Sequence, residues 1–141
     1  MFNLLAAKSI FTSTYYYQVD EATSGQMAID LVKKSLEKEC NCRNRTYKII
    51  FMDIQMPEMD GTEATELILK LMKLDKKKYI ERMKSDVGYV DIKCNVLALS
   101  AYSGDKNKAK ALKSGMKDYM NKPLTKKDLI KYMDIYFIPI I

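Results

Sequence analysis

The apolar positions of this chain follow two alternating rhythms. Short apolar runs stop abruptly at a polar residue, and between them apolar residues recur at three- and four-residue spacing. The first rhythm is that of strands covered on both faces, the second that of amphipathic helices. Tyr47–Met52, Val96–Leu99 and the shorter Tyr119–Met120 are the runs, and Tyr15-Tyr16-Tyr17-Gln18-Val19 reads as a further, aromatic and β-branched strand. Helices are predicted over Phe2–Phe11 and over a stripe of Met27, Ala28, Leu31, Val32 and Leu36 that follows the turn Thr23-Ser24-Gly25. A third starts near Thr62 with Ala64, Leu67, Ile68 and Leu71 inward. A fourth is capped by Asp105, with Ala109, Leu112 and Met116 inward and Gly115 at its end. The last follows Thr125 and Asp128, which resemble a capping box, and carries Leu129, Met133, Tyr136 and Phe137.

The polar stretch Glu37–Thr46 reads as a loop. Leu74–Lys93 is charged and has three readings: an extension of the preceding helix, a short added helix, or an insertion at 74–93. Strands alternating with helices imply a parallel sheet with right-handed crossovers and helices on both faces. Ligands of such sheets bind beyond the carboxyl ends of the strands. The residues that close the three runs therefore carry the candidate chemistry: Asp53 after the first, Ser100 after the second, Lys122 after the third.

A carboxylate, a hydroxyl and an ammonium at three strand ends suit a phosphoryl-accepting site. A carboxylate can take a phosphoryl group as an acyl phosphate. The transfer needs in-line approach and neutralisation of oxygen charge more than acid–base groups. Lys122 can neutralise one oxygen, and the Ser100 hydroxyl and the Ala101 N–H can donate to others. Pro57 and Gly61 shape the loop after Asp53, Pro57 by fixing φ and Gly61 by tolerating conformations other residues resist. Pro123 follows the lysine, and a cis X-Pro bond, costing only about 0.5–1 kcal/mol, is one way to aim it.

Composition narrows the rest. The chain has 141 residues, nearly half of them apolar, which is enough for one domain with a real core. No apolar run approaches the roughly 20 residues that span a membrane. The start lacks the features of a secretory signal, so the expected setting is intracellular. The net charge of +6 reflects lysine runs such as Lys76-Lys77-Lys78 and Lys126-Lys127, read as solvated helix faces rather than a nucleic-acid surface, because no nucleic-acid motif accompanies them. Three cysteines, Cys40, Cys42 and Cys94, read as free thiols. With no histidine in the chain, Ser-His-Asp and Cys-His catalysis and His-ligated zinc are excluded. Any phosphohistidine belongs to another molecule or to a region outside this sequence.

The strings Phe51-Met52-Asp53-Ile54-Gln55-Met56-Pro57-Glu58-Met59-Asp60-Gly61, Ala98-Leu99-Ser100-Ala101 and Gly115–Leu124 closely resemble the response-regulator receiver (CheY-like) domain of two-component phosphorelays, in the form attached to hybrid sensor histidine kinases. The resemblance covers nearly the whole chain. It implies a flavodoxin-like, doubly wound parallel sheet of strand order 2-1-3-4-5. It also implies Asp53 as phosphoacceptor, Ser100 as switch hydroxyl, Lys122 as the conserved-type lysine and Tyr119 as the aromatic that changes rotamer. Mg2+ would be held by Asp53 and the Gln55 backbone carbonyl.

One departure is expected. The first, central strand and its metal-binding acidic pair are missing, since Met1–Leu5 already looks like the family's first helix; the chain reads as an N-terminally incomplete receiver over 1–141. Asp20 and Glu21 follow the family's second strand and are not taken as that pair. The implied partner is a histidine kinase or a histidine phosphotransfer protein, with attachment to a hybrid, membrane-anchored kinase as one form. The setting is cytoplasmic, and the chain is not an enzyme beyond self-phosphorylation and slow self-dephosphorylation. The alternative is a degenerate receiver that binds partners without phosphorylation. An aspartate-nucleophile phosphatase is disfavoured because Gln55 stands where Asp-x-Asp needs its second acid. Nucleotide binding is disfavoured for want of a Gly-rich phosphate loop.

Overall fold

A computed structural model describes residues 19–37, 47–56, 58–83, 94–101, 104–122 and 124–136. The elements in order are α1 (Gly25–Leu36), β1 (Ile49–Asp53), α2 (Gly61–Met83), β2 (Asn95–Ser100), α3 (Asp105–Lys113), β3 (Asp118–Asn121) and α4 (Lys126–Tyr136). The strands form one parallel sheet in the order β1-β2-β3. All three predicted runs are strands. The expected helix over Phe2–Phe11 and the tyrosines of the expected aromatic strand lie outside the described residues, as do residues 84–93. Leu74–Met83 continue α2, so this part of the open segment is helix.

The middle strand β2 explains why the sheet holds. Its side chains alternate between two apolar layers. Val96 and Ala98 pack with Ile29 and Val32 of α1, Ala64 and Ile68 of α2, and Ala111 and Met116. On the other face, Leu97 and Leu99 pack with Met120, Leu124, Tyr132 and Tyr136. Helices thus cover both faces, as a parallel sheet demands. Strand β1 is less covered than its apolar run predicts: only Met52 is buried, and Ile49, Ile50 and Phe51 are half-exposed. It borders β2 alone in the described sheet, whereas β2 has a neighbour on each side.

The helix faces differ from the predicted stripes. On α1 the buried positions are Gly25, Ile29, Val32 and Ser35, while Met27 is 40% exposed. On α2, Thr65 is buried alongside Ala64 and Ile68, and Leu67 is 41% exposed. On α3, Ala111 is buried while Ala109 and Leu112 face outward; Ser114 and Met116, just beyond, are buried as well. The cause is common to all three. Ser35, Thr65 and Ser114 each donate their hydroxyl to a carbonyl of their own helix, Val32, Gly61 and Ala111 respectively. A hydroxyl satisfied in this way can be buried without the desolvation penalty of an unpaired group, so it takes a core position that polarity alone would deny it.

The caps are partly as expected. Ser24 accepts from the Met27 N–H at the start of α1. Thr125 and Asp128 form the predicted reciprocal box, each accepting from the other's backbone N–H at 3.1 Å. Asp105, however, is the first residue of α3 rather than its cap; the cap position belongs to Gly104, which has no side chain to offer. After α3 the N–H groups of Gly115 and Met116 return to the carbonyls of Leu112 and Ala111. Gly115 sits there at φ +106°, a left-handed conformation that costs glycine nothing. This C-terminal turn aims the chain into β3.

Candidate functional site

The parallel register brings the three strand ends together. Asp53 pairs with Leu99, and Ser100 pairs with Asn121. The ladder continues one residue past each strand: Ile54 N–H donates to the Leu99 carbonyl at 3.0 Å, and Lys122 N–H donates to the Ser100 carbonyl at 2.8 Å. Lys122 is thereby fixed beside Ser100, two strands away from Asp53, and its side chain reaches back across β2. Its Nζ lies 2.5 Å from Asp53 Oδ2, with 12% of the lysine side chain and 26% of the aspartate's exposed. The other carboxylate oxygen, Oδ1, accepts from the Gln55 N–H at 3.1 Å.

Ser100 is fully buried, and its hydroxyl donates to the Gln55 side-chain oxygen at 3.2 Å. The predicted Asp53, Ser100 and Lys122 are therefore brought to one edge, with Gln55 linking Ser100 and Asp53. Gln55 was expected to contribute only its backbone carbonyl; the structure adds an acceptor from its side chain and a donor from its N–H. Tyr119 lies one residue into β3, half-buried against the α1–α2–α3 core. Its N–H donates to its neighbour Asp118. Pro57 and Pro123 lie outside the described residues.

Gly61 shapes the site for a reason other than the expected one. Its φ is not in the left-handed region; among the described residues that region holds Gly115 and Glu58, the latter at φ +70°. Instead, a Cβ on Gly61 would sit 2.3 Å from the Asp53 carbonyl oxygen and 2.9 Å from Met52 Cγ. Only a glycine lets α2 start directly against the strand that ends in Asp53. Its N–H donates to the Ile54 carbonyl at 3.0 Å and ties the loop shut.

Two residues that the sequence reading did not single out complete the frame. Asp60 caps α2: Oδ1 accepts from the Thr62 hydroxyl and from the N–H groups of Thr62 and Glu63. Oδ2 pairs with Lys110 of α3 at 2.9 Å. Burial pushes the Asp60 carboxyl up, but the bonds from Thr62, Glu63 and Lys110 outweigh it and hold the group well below the usual carboxylate range. The hydrogen bond and charge of Asp60 hold Lys110 above its ordinary value, and Glu63 and Glu66 add to the effect. An acid three residues before Glu63 is a helix-start signal readable in the sequence. The partnership with Lys110 is not, since it needs the packing of α3 on α2.

The donors present decide whether Mg2+ fits. Mg2+ takes octahedral oxygen ligands, with one or two carboxylates plus phosphate and water. Among the described residues no three Asp, Glu, Cys or His side chains come together. Asp53 Oδ2 already holds an ammonium. The Asp20 carboxylate accepts from the Tyr47 hydroxyl at 2.6 Å. Burial first, then that bond and the Asp20 charge, hold the Tyr47 phenol far above its usual value. Tyr47 lies before the amino end of β1, whereas Asp53 closes its carboxyl end. Asp53 and the Gln55 carbonyl offer at most two ligands, so the described residues do not build a Mg2+ site by themselves.

A carboxylate, a buried hydroxyl and a lysine thus converge at the carboxyl edge of a parallel α/β sheet, a set of groups suited to a phosphoryl group. The response regulator receiver domain family matches residues 2–134, and the chain belongs to that family. Hybrid signal transduction histidine kinase B of Dictyostelium discoideum is 38% identical over 117 residues, which are 83% of this chain and 5% of the kinase. The chain therefore spans a small fraction of that relative's length. Among solved structures, the receiver domain of the histidine kinase CKI1 from Arabidopsis thaliana is 26% identical with a TM-score of 0.65, covering 94% of this chain and 85% of that one. CheY in the CheX–CheY–BeF3–Mg complex from Borrelia burgdorferi has a TM-score of 0.68 at 21% identity, covering 96% of this chain and 81% of that one. The fold is thus the CheY-like receiver fold, and relatives of the chain are receivers of hybrid histidine kinases. Among the described residues no helix is long and apolar enough to cross a membrane.

Proposed function

We propose that the chain accepts a phosphoryl group on Asp53 from the phosphohistidine of a partner histidine kinase or histidine phosphotransfer protein. The observation that carries this is the Lys122 ammonium held 2.5 Å from Asp53 Oδ2 in a largely buried pair. A carboxylate oxygen attacks phosphorus, the new O–P bond forms as the partner's N–P bond breaks, and the electron pair returns to the partner's imidazole. The product is an acyl phosphate on Asp53. Lys122 is placed to move from the carboxylate to a phosphoryl oxygen and neutralise it, and Ser100 can exchange its bond to Gln55 for a second phosphoryl oxygen.

That exchange is the step that alters the domain. Ser100 and Tyr119 stand diagonally on neighbouring strands, Tyr119 opposite Ala98 and Ser100, two residues on, opposite Asn121. A shift of the hydroxyl frees room that Tyr119 can fill, changing the surface read by a partner. The signal is lost by slow self-hydrolysis, so the chain turns over nothing but its own phosphate. Its place is the cytoplasmic side of a phosphorelay, alone or joined to a membrane-anchored kinase.

Incubation with acetyl phosphate in Mg2+-containing buffer, followed by peptide mass spectrometry, should give a hydroxylamine-labile phosphoryl adduct on Asp53 that Asp53→Asn abolishes. No adduct on the folded wild-type chain, with partner binding indifferent to Asp53→Asn, would replace this proposal with a phosphorylation-independent binding module.

A further inference from the structure

The outward face of α2 carries a pattern that the phosphoryl site does not use. Leu67 and Leu74 are 41% and 43% exposed on it. Glu63 lies four residues before Leu67, and Lys78 four residues after Leu74, so the four share one face of the helix. All four are exposed. Leu71, half-buried, lies beside them. The flank of the same face reads Glu66, Lys70, Lys73 and Lys77, each exposed. The first half of this face is therefore acidic and the second half basic, with leucines between.

We propose that this face pairs with the same face of a second copy of the chain, antiparallel, about a two-fold axis between Lys70 and Leu71. Two identical surfaces meeting about a two-fold axis must be self-complementary. In the antiparallel arrangement Leu67 meets Leu74 of the second copy, and Glu63 meets Lys78 of the second copy; each contact occurs twice. Glu66 falls between Lys73 and Lys77 of the second copy. The cost is a cluster of like charges near the axis, Lys70 to Lys70 and, twice, Lys70 to Lys73 of the second copy, where the long stems can splay toward water. A parallel pair would set Glu63 on Glu63 and Lys78 on Lys78, which charge forbids. The charge order thus selects both the occupant and its direction.

The contact is small. Glu63–Lys78 spans about 24 Å of helix, below the size of a tight permanent interface. Self-association is accordingly expected between about 10 μM and 1 mM. In a signalling chain that range makes pairing responsive to local concentration, as when two copies are held on one assembly.

Sedimentation equilibrium of the full chain from about 10 μM to 1 mM tests the pairing. The wild-type mass should rise toward twice that of the monomer. Glu63→Lys alone and Lys78→Glu alone should each lower the association constant about tenfold, since two attractive pairs become two repulsive ones. An equimolar mixture of the two variants should regain wild-type association, because each then offers the other a matched pair. Both positions are exposed, so the variants fold. A wild type that stays monomeric throughout overturns the proposal. So does association that the single variants leave unchanged, or a mixture no better than its components. Stronger association of Glu63→Lys with wild type than of wild type with itself would show parallel pairing and overturns it equally.

Discussion

The two ends of the sheet each hold a strand aspartate, and they use it in opposite ways. At the carboxyl edge, Asp53 faces an ammonium and one backbone N–H. At the amino edge, Asp118 starts β3 and accepts the Tyr136 hydroxyl at 2.8 Å and the Tyr119 N–H at 2.7 Å. The Tyr136 carbonyl in turn accepts from the Asn95 side chain at 2.7 Å, which ties the end of α4 to the start of β2. Asp118 is thus a staple between a strand and a helix, satisfied by uncharged donors. Asp53 is paired with the Lys122 ammonium, the charge that the proposed reaction would hand to a phosphoryl oxygen. The difference lies in the partner, not in the aspartate. It arises because loops meet at one edge of a parallel sheet whereas the end of α4 is packed down at the other.

That contrast can be broken most severely at Lys122. Lys122→Ala should slow labelling of Asp53 by acetyl phosphate about 100-fold, the usual cost of deleting one oxyanion partner, while Tyr136→Phe should leave the rate unchanged. Equal slowing by both would mean that the two edges are coupled. Gly61→Ala comes next. Its Cβ meets backbone that cannot retreat, so a loss of about 1–3 kcal/mol in urea unfolding is expected, together with slower labelling because Asp53 is displaced. An unchanged midpoint would show that the loop gives way freely.

Tyr136→Phe should cost about 1 kcal/mol, one hydrogen bond to a charged acceptor at a partly exposed site. The bond to Asp118, then burial and the Asp118 charge, push the Tyr136 phenol up to about 12. A phenol whose value is raised on folding contributes stability that is complete below its ordinary value near 10 and is lost as pH climbs through the folded value. The wild-type melting temperature should therefore fall between about pH 10 and 12. The fall should be shallower in Tyr136→Phe; Tyr132 and Tyr47, also raised, and Cys94, pushed up to about 12 by burial, supply the remainder. An identical slope in the variant would remove the staple from the account. The smallest effect belongs to Lys110→Ala. The lysine side chain is 59% exposed, so solvent screens its pair with Asp60 and the melting temperature should stay close to that of the wild type.

Much of this architecture was legible before any coordinates. The three apolar runs are the three strands among the described residues, and the residues that close them are the ones brought together at the carboxyl edge, because a buried strand needs continuous apolar sequence and its end is where polar groups can first be tolerated. The Thr125–Asp128 box and the Gly115 stop were also readable, since both act through neighbours in sequence. The helix faces were not. Leu67 and Thr65 exchange their expected places because a hydroxyl bonded to its own helix is no longer costly to bury, and composition does not record that bond. The same applies to Ser35 and Ser114.

Local sequence, then, determined the described strands, the helix starts marked by Ser24 and Thr125, and which side chains stand at the strand ends, because each of these depends on spacing and on the identity of near neighbours; the length of α2 it left open. Tertiary structure alone decided that Lys122 crosses β2 to reach Asp53, that Gln55 joins Ser100 to that carboxylate, that Gly61 must lack a Cβ, and that Asp60 meets Lys110. Each of these is a contact between residues whose distance apart is set by strand register and helix docking, and no periodicity in a single segment carries that information.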